Sequence, residues 1–252
     1  MLVMKFGGSS VSDAERIRRV CDIIINKYKT DKSLFVVVSA FGGITDDLIE
    51  ITNLAAENNP GYLLLLDRLI ERINNIISEL AIPQSSTFVQ EIEENQDALR
   101  NVLFGVALIQ EASQKTRDYI LSFGERNSAF IISRYLNTVE VSSTYIDARK
   151  YIKTDNTFGA AVVQFEQTNK NIESLRSLKS GVNMITGFIG SDMMSDRTTT
   201  LGRGGSDYTA AIFAAALNAD VLEIWTDVSG VLTSDPRKVK KAYTIPEMTY
   251  SE

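Results

Sequence analysis

The chain of 252 residues carries a formal net charge of −6, 44% hydrophobic residues, one cysteine and no histidine. Without histidine, Ser-His-Asp hydrolases, Cys-His proteases, His-ligated zinc enzymes and His-based dehydrogenases all lose their usual proton carrier or ligand. The net acidity argues against general binding to nucleic acid or anionic membrane, and the lone Cys21, together with a start that shows neither a signal-peptide pattern nor a long apolar run, predicts a cytoplasmic setting.

Leu2 to Phe6 reads as a strand, followed by the glycine loop Gly7-Gly8-Ser9-Ser10 and a helix from about Ala14 to Tyr28. Ser12 and Glu15 have the spacing of a capping box. Ile17, Val20, Cys21, Ile24 and Tyr28 recur at helical spacing on one apolar face, which predicts that Cys21 is core. Leu34 to Ser39 is an apolar run ending in Ala40-Phe41-Gly42-Gly43, the profile of a buried parallel strand with a functional loop at its carboxyl end, and a helix is expected from Thr45 or Asp46.

Residues 60–122 carry helical apolar spacing and little strand signal, so they predict a helical insertion, either ordinary packing helices or a lid or subunit contact. Beyond it the pattern predicts a helix after Glu125, a strand at Val139 to Tyr145, a helix at Ile172 to Lys179 and a strand at Val182 to Thr186. A glycine-rich loop then opens an alanine-rich helix, and a last strand is expected at Val221 to Thr226. Alternating strands and helices predict an α/β fold, a three-layer αβα sandwich with a mainly parallel central sheet, whose ligands sit at the carboxyl ends of the strands.

Residues 196–209 are the most informative stretch: Gly202-Arg203-Gly204-Gly205-Ser206-Asp207 opens a helix, and free N–H groups with a positive dipole end favour an anion there. The loop after Lys5 repeats the arrangement, so two anion sites in one chain predict phosphoryl transfer between two bound molecules. A carboxylate acceptor suits a chain without histidine, because a group of pKa near ~3.9 is already a nucleophile at neutral pH. Neither loop is a Walker A, and the second lacks the third glycine of the dinucleotide fingerprint.

Six motifs follow one another: Lys5-Phe6-Gly7-Gly8-Ser9-Ser10-Val11; Val38-Ser39-Ala40 with Thr45; Phe123-Gly124-Glu125-Arg126; Thr186-Gly187-Phe188; Leu201 to Asp207; and Trp225-Thr226-Asp227-Val228 with Gly230-Val231 and Asp235-Pro236-Arg237. In this order they resemble the catalytic domain of an aspartate kinase of the amino-acid kinase superfamily, over residues 1–252. The resemblance implies ATP-dependent phosphorylation of the aspartate β-carboxylate, the entry to lysine, threonine and methionine synthesis, with Mg2+ bridging the nucleotide phosphates. It implies catalytic roles for Lys5 and Asp207, and an aspartate site of Ser39, Ala40, Thr45, Glu125, Phe188, Arg203 and Ser206. Within that site Arg203 would take a carboxylate, and Glu125 and Asp207 the α-ammonium. The implied nucleotide site is Lys5, Gly7, Gly8, Ser9, Thr226, Asp227, Gly230, Leu232, Asp235 and Arg237, and no protein residue is called as a metal ligand.

Leu232 stands where the family commonly carries tyrosine; it can cover an adenine face but cannot donate a hydrogen bond. The chain stops at Glu252, whereas the family runs on into a lysine-containing nucleotide motif and regulatory domains, so weak turnover or none is expected of it. The resemblance further implies small-molecule partners and a homo-oligomeric parent, either monofunctional or fused to a homoserine dehydrogenase. The alternatives are a superfamily member acting on glutamate, acetylglutamate or a nucleotide, and a non-catalytic nucleotide or amino-acid sensor.

Overall fold

The computed structural model describes residues 1–178, 180–228, 230–235 and 238–249. Its eight strands are β1 (Leu2–Phe6), β2 (Ser33–Val38), β3 (Ser143–Ile146), β4 (Lys153–Thr154), β5 (Gly181–Thr186), β6 (Ile189–Asp192), β7 (Thr198–Thr200) and β8 (Val221–Trp225). Five of them form one sheet of order β3-β5-β2-β1-β8 in which every neighbouring pair is parallel. The strands β1, β2 and β5 are almost wholly buried, which is why they read as continuous apolar runs rather than as alternating ones.

Alternation survives in the choice of face. Met4 and Phe6 join Val36, Val38 and Met184 in a core shared with helices α1 (Ala14–Thr30), α2 (Ile44–Ala56), α3 (Gly61–Glu79), α4 (Ser86–Ile109) and α5 (Gln114–Thr138). Val3 joins Phe35, Val37 and Ile185 in a second core with Ile172 of α6 (Phe165–Glu173) and with Ala210, Phe213 and Leu217 of α7 (Gly205–Leu217). The sheet is therefore the middle layer of three, as expected. Lys5, two residues from Val3, projects on the α7 side. That parity determines which helix it can reach.

Several local expectations are corrected. The cap of α1 is Asp13, whose carboxylate accepts from the Arg16 N–H at 2.9 Å, while Ser12 donates to Asp13 instead of capping. Asp is as good a cap as Ser, and its position one residue closer to the first turn wins. Helix α5 starts at Gln114, capped by Ser113, so Glu125 lies in mid-helix rather than before a helix start. The third strand begins at Ser143, not Val139, because α5 runs on to Thr138. Helix α6 precedes its expected place, and Ser174–Ser177 form only a 3-10 turn. A second sheet, β4-β6-β7, went unpredicted, its strands being two to four residues long and rich in Ser and Thr. The buried residues of α3 and α4 belong to the same core as those of α1 and α2, while Leu63, Leu64, Phe104, Leu108 and Ile109 on these helices are exposed. Cys21 is buried, and burial raises its thiol pKa far above the ordinary value. Among the described residues no helix is long and apolar enough to cross a membrane.

Candidate active site

Parallel strands place their carboxyl ends on one edge, and the loops leaving β1, β2 and β5 meet there. After β1, Gly7 leads into a 3-10 turn, Gly8–Val11, that has no side-chain cap. After β2, Gly43 at φ +85° opens α2, and Gly204 at φ +74° opens α7, again without side-chain caps. Left-handed backbone favours glycine at both starts, and uncapped first turns leave N–H groups for a ligand. The loops are in close contact: a Cβ added at Gly8 would lie 2.9 Å from the Ala40 carbonyl oxygen, and one at Gly42 2.9 Å from the Ser12 Cβ. Only glycine permits that approach.

These loops enclose a cavity of about 520 Å³, within the range of small-molecule sites. Lys5, Gly8, Ser39, Ala40, Thr45, Glu125, Phe188, Arg203, Ser206 and Asp207 all line it. Lys5 is 9% exposed, and its Nζ lies 2.6 Å from Asp207 Oδ1 in the first turn of α7. Gly7 lies against the same ammonium, with room for a Cβ 3.5 Å from Nζ. Phe188 adopts φ +68°, rare for a non-glycine residue. Its N–H donates to buried Thr209 Oγ1, its carbonyl accepts from Leu201 N–H, and its ring lies over Gly205, which secures the strained turn.

Glu125 is 3% exposed and accepts from the Ala40 N–H at 3.3 Å through Oε1, while Oε2 is buried without a partner. Desolvation pushes its pKa from the ordinary 4.5 up to about 8, against the lowering effect of the Ala40 hydrogen bond. A raised folded-state pKa means that the folded protein holds the proton where the unfolded chain has lost it. The contribution is full below pH 4.5 and is lost as pH rises towards about 8. Urea unfolding between pH 5 and 8 should therefore show stability falling by at most about 1.4 kcal/mol per pH unit from this group, and Glu125→Gln should flatten that slope. An unchanged slope in the variant would assign the titration elsewhere.

The expected nucleotide segment is only partly gathered. Ser9, Thr226 and Asp227 line a separate cavity of about 390 Å³ with Phe6, Trp225 and the α1 residues Arg16 and Arg19. Gly8 borders one cavity and Ser9 the other, so the β1 loop touches both. Gly230, at φ +122°, and Leu232, bridged to Thr244, line neither cavity. Asp235 accepts from the N–H groups of Lys238 and Val239 through its carbonyl, and Arg237 lies outside the described residues.

Two residues were missed at the sequence level. Arg72 of α3 donates to the carbonyls of Ser12, at 3.2 Å, and Gly42, at 2.5 Å, and lies 3.6 Å from Asp47, joining the first two glycine loops from outside. Nothing in its local sequence marks it out. Asp118 is fully buried in the cavity wall; its spacing of seven residues from Glu125, two turns on one helix face, was the available signal.

Comparison with known proteins agrees with this geometry. The model of the amino acid kinase family matches residues 1–252. The chain is 35% identical over 259 residues to the chloroplastic aspartokinase 1 of Arabidopsis thaliana, covering 99% of this chain and 44% of that protein. It is also 35% identical to the lysine-sensitive aspartokinase 3 of Escherichia coli strain K12, covering all of this chain and 54% of that one. The crystal structure of E. coli aspartokinase III in complex with aspartate and ADP superposes with a TM-score of 0.87 over 97% of this chain and 53% of that chain, at 35% identity. The chain thus spans about half the length of the relatives it matches.

Proposed function

Since the chain belongs to the amino acid kinase family, we propose that it transfers the terminal phosphoryl group of ATP to the β-carboxylate of L-aspartate, giving 4-phospho-L-aspartate and ADP. The observation that carries this reading is the composition of one cavity. A buried lysine paired with Asp207 stands beside a guanidinium, Arg203, and a buried carboxylate, Glu125, that has one unpartnered oxygen. A zwitterionic amino acid presents the complementary groups, and the E. coli relative was crystallised with aspartate and ADP.

In this reading Arg203 takes the α-carboxylate through its planar fork. Glu125 takes the α-ammonium, assisted by Asp207, and the arriving cation offsets the desolvation that raises the Glu125 pKa. Ser39, Ala40, Thr45, Phe188 and Ser206 line the space where the β-carboxylate meets the phosphoryl group. Lys5 and the N–H groups of Gly7 and Gly8 stabilise charge on the transferring oxygens, the main requirement of phosphoryl transfer. The nucleotide extends from there towards Ser9, Thr226, Asp227 and the segment of Gly230, Leu232, Asp235 and Arg237. No general base is needed, since the β-carboxylate is already ionised.

Magnesium bound with the nucleotide would neutralise phosphate charge. Among the described residues no group of three His, Cys, Asp or Glu could hold a metal, so the nucleotide phosphates would be its main ligands, and Asp46 and Asp207, which line the cavity with Lys5, are acids that would face it. The lone buried Cys21 suits the cytoplasm as the setting.

Initial rates of ADP release with L-aspartate, L-glutamate and N-acetylglutamate as acceptors test the proposal. Saturable release with aspartate alone is expected. A preference for either other acceptor would replace aspartate with a related substrate, and release with none from a chain that binds both L-aspartate and ATP would leave a binding module.

A further inference from the structure

We propose that Asp118 is a positioning residue that fixes the span between Glu125 and Arg203, and with it the length of amino acid the cavity accepts. The proposal rests on the reading of those two residues as the ends of the amino-acid site.

Asp118 is 0% exposed, and its partners are neutral. Its Oδ2 accepts from the Gly159 N–H at 2.8 Å and the Thr200 N–H at 2.9 Å, and its Oδ1 accepts from Thr200 Oγ1 at 3.0 Å. An isolated buried carboxylate is costly, and aligned N–H donors offset that cost. The donors belong to two segments, and the first of them also lies against Gln114 at the start of α5. Thr200 ends β7, three residues before Arg203, and its carbonyl accepts from Ala161 N–H at 2.9 Å. Gly202, at φ +75°, approaches Ala160 so closely that a Cβ there would lie 3.4 Å from the Ala160 Cβ. The segments 159–161 and 200–202 therefore form one wall, and Asp118 fastens that wall to the helix carrying Glu125.

Residues 118 and 125 share one face of α5, two turns apart. The position of Thr200 relative to Asp118 consequently sets where the Arg203 loop begins relative to Glu125. Releasing Thr200 leaves both ligand-binding groups intact but no longer at a fixed separation. Affinity for an amino acid that bridges them should fall, while a nucleotide bound at the β1 loop is little affected.

The test measures dissociation constants for L-aspartate, L-glutamate and a non-hydrolysable ATP analogue by calorimetry on the full chain, with urea midpoints as a control for folding. Asp118→Leu is expected to weaken L-aspartate at least about 30-fold and the ATP analogue less than about 3-fold, since two main-chain N–H groups lose their acceptor. It should also narrow the preference for aspartate over glutamate. Asp118→Asn should stay within about 3-fold of wild type, because its carbonyl can accept both N–H groups and its amide can donate to Thr200 Oγ1. Thr200→Val, which removes a single hydrogen bond, should fall between the two and decides the matter if Asp118→Leu does not fold. The proposal is overturned if Asp118→Leu folds and binds aspartate normally, if it weakens both ligands equally, if asparagine is as damaging as leucine, or if Thr200→Val leaves aspartate affinity unchanged. A wild-type chain that does not bind L-aspartate removes the underlying functional reading as well, an outcome distinct from any of these.

Discussion

Lys5→Met is expected to lower kcat by about 10²- to 10³-fold, the usual cost of removing one group that stabilises transition-state charge, with a much smaller change in the KM for aspartate. Methionine keeps an unbranched apolar stem in the buried β1 strand, so the sheet should hold. Asp207 loses its 2.6 Å partner but has a side chain 50% exposed, and it therefore returns to water at little cost. The separation of kcat from KM is the informative quantity: an interaction made mainly in the transition state appears in kcat. Steady-state kinetics with each substrate varied provide the check. A large rise in aspartate KM with kcat preserved would move Lys5 from the phosphoryl group to the amino acid.

Arg203→Ala should act on the other ligand. Arg203 is exposed without a ligand, and once a bound carboxylate covers it, losing one partner of that hydrogen-bonded charge pair costs about 2–5 kcal/mol, which corresponds to at least ~30-fold in the KM for aspartate. The ATP KM should change far less. The wall beneath Arg203 is held by main-chain bonds and by Asp118, not by the guanidinium, so the variant should unfold at nearly the same urea concentration as wild type. Arg203→Lys should recover only part of the affinity, because an ammonium cannot reproduce the planar two-point contact. A dominant ATP defect in Arg203→Ala would place this residue at the nucleotide.

The parts of the fold that could be read from the chain are those in which one residue type dominates a long segment. The strands β1, β2 and β5 are uniformly apolar because both faces of a parallel sheet are covered. Within such a run, Lys5 was conspicuous, and it lies in the cavity beside Asp207. The strands β4, β6 and β7 left no comparable signal: they are short, and Thr154, Ser191, Asp192 and Thr198 to Thr200 are buried through hydrogen bonding rather than hydrophobicity. The start of α5 was missed because Asp118, Ser122, Glu125 and Ser128 on its buried face interrupt the apolar period. Two of these polar residues, Asp118 and Glu125, also line the cavity. Arg72 and Asp118 act on main-chain groups distant in sequence, a relation that no local pattern encodes.

The nucleotide segment shows a different limit. Its residues are divided between two cavities: Ser9, Thr226 and Asp227 line the smaller one, and Lys5 and Gly8 the larger one. A motif records which residues occur together but not which side of a loop each one faces.

The most direct test of the central claim identifies the product. The chain is incubated with ATP, Mg2+ and L-aspartate in the presence of hydroxylamine, which converts an acyl phosphate into a stable hydroxamate, and hydroxamate and ADP are measured together. Phosphorylation of the β-carboxylate predicts aspartyl β-hydroxamate equal in amount to the ADP released, with both abolished when aspartate is omitted. ADP released without aspartate, or released with aspartate but without hydroxamate, would contradict the account.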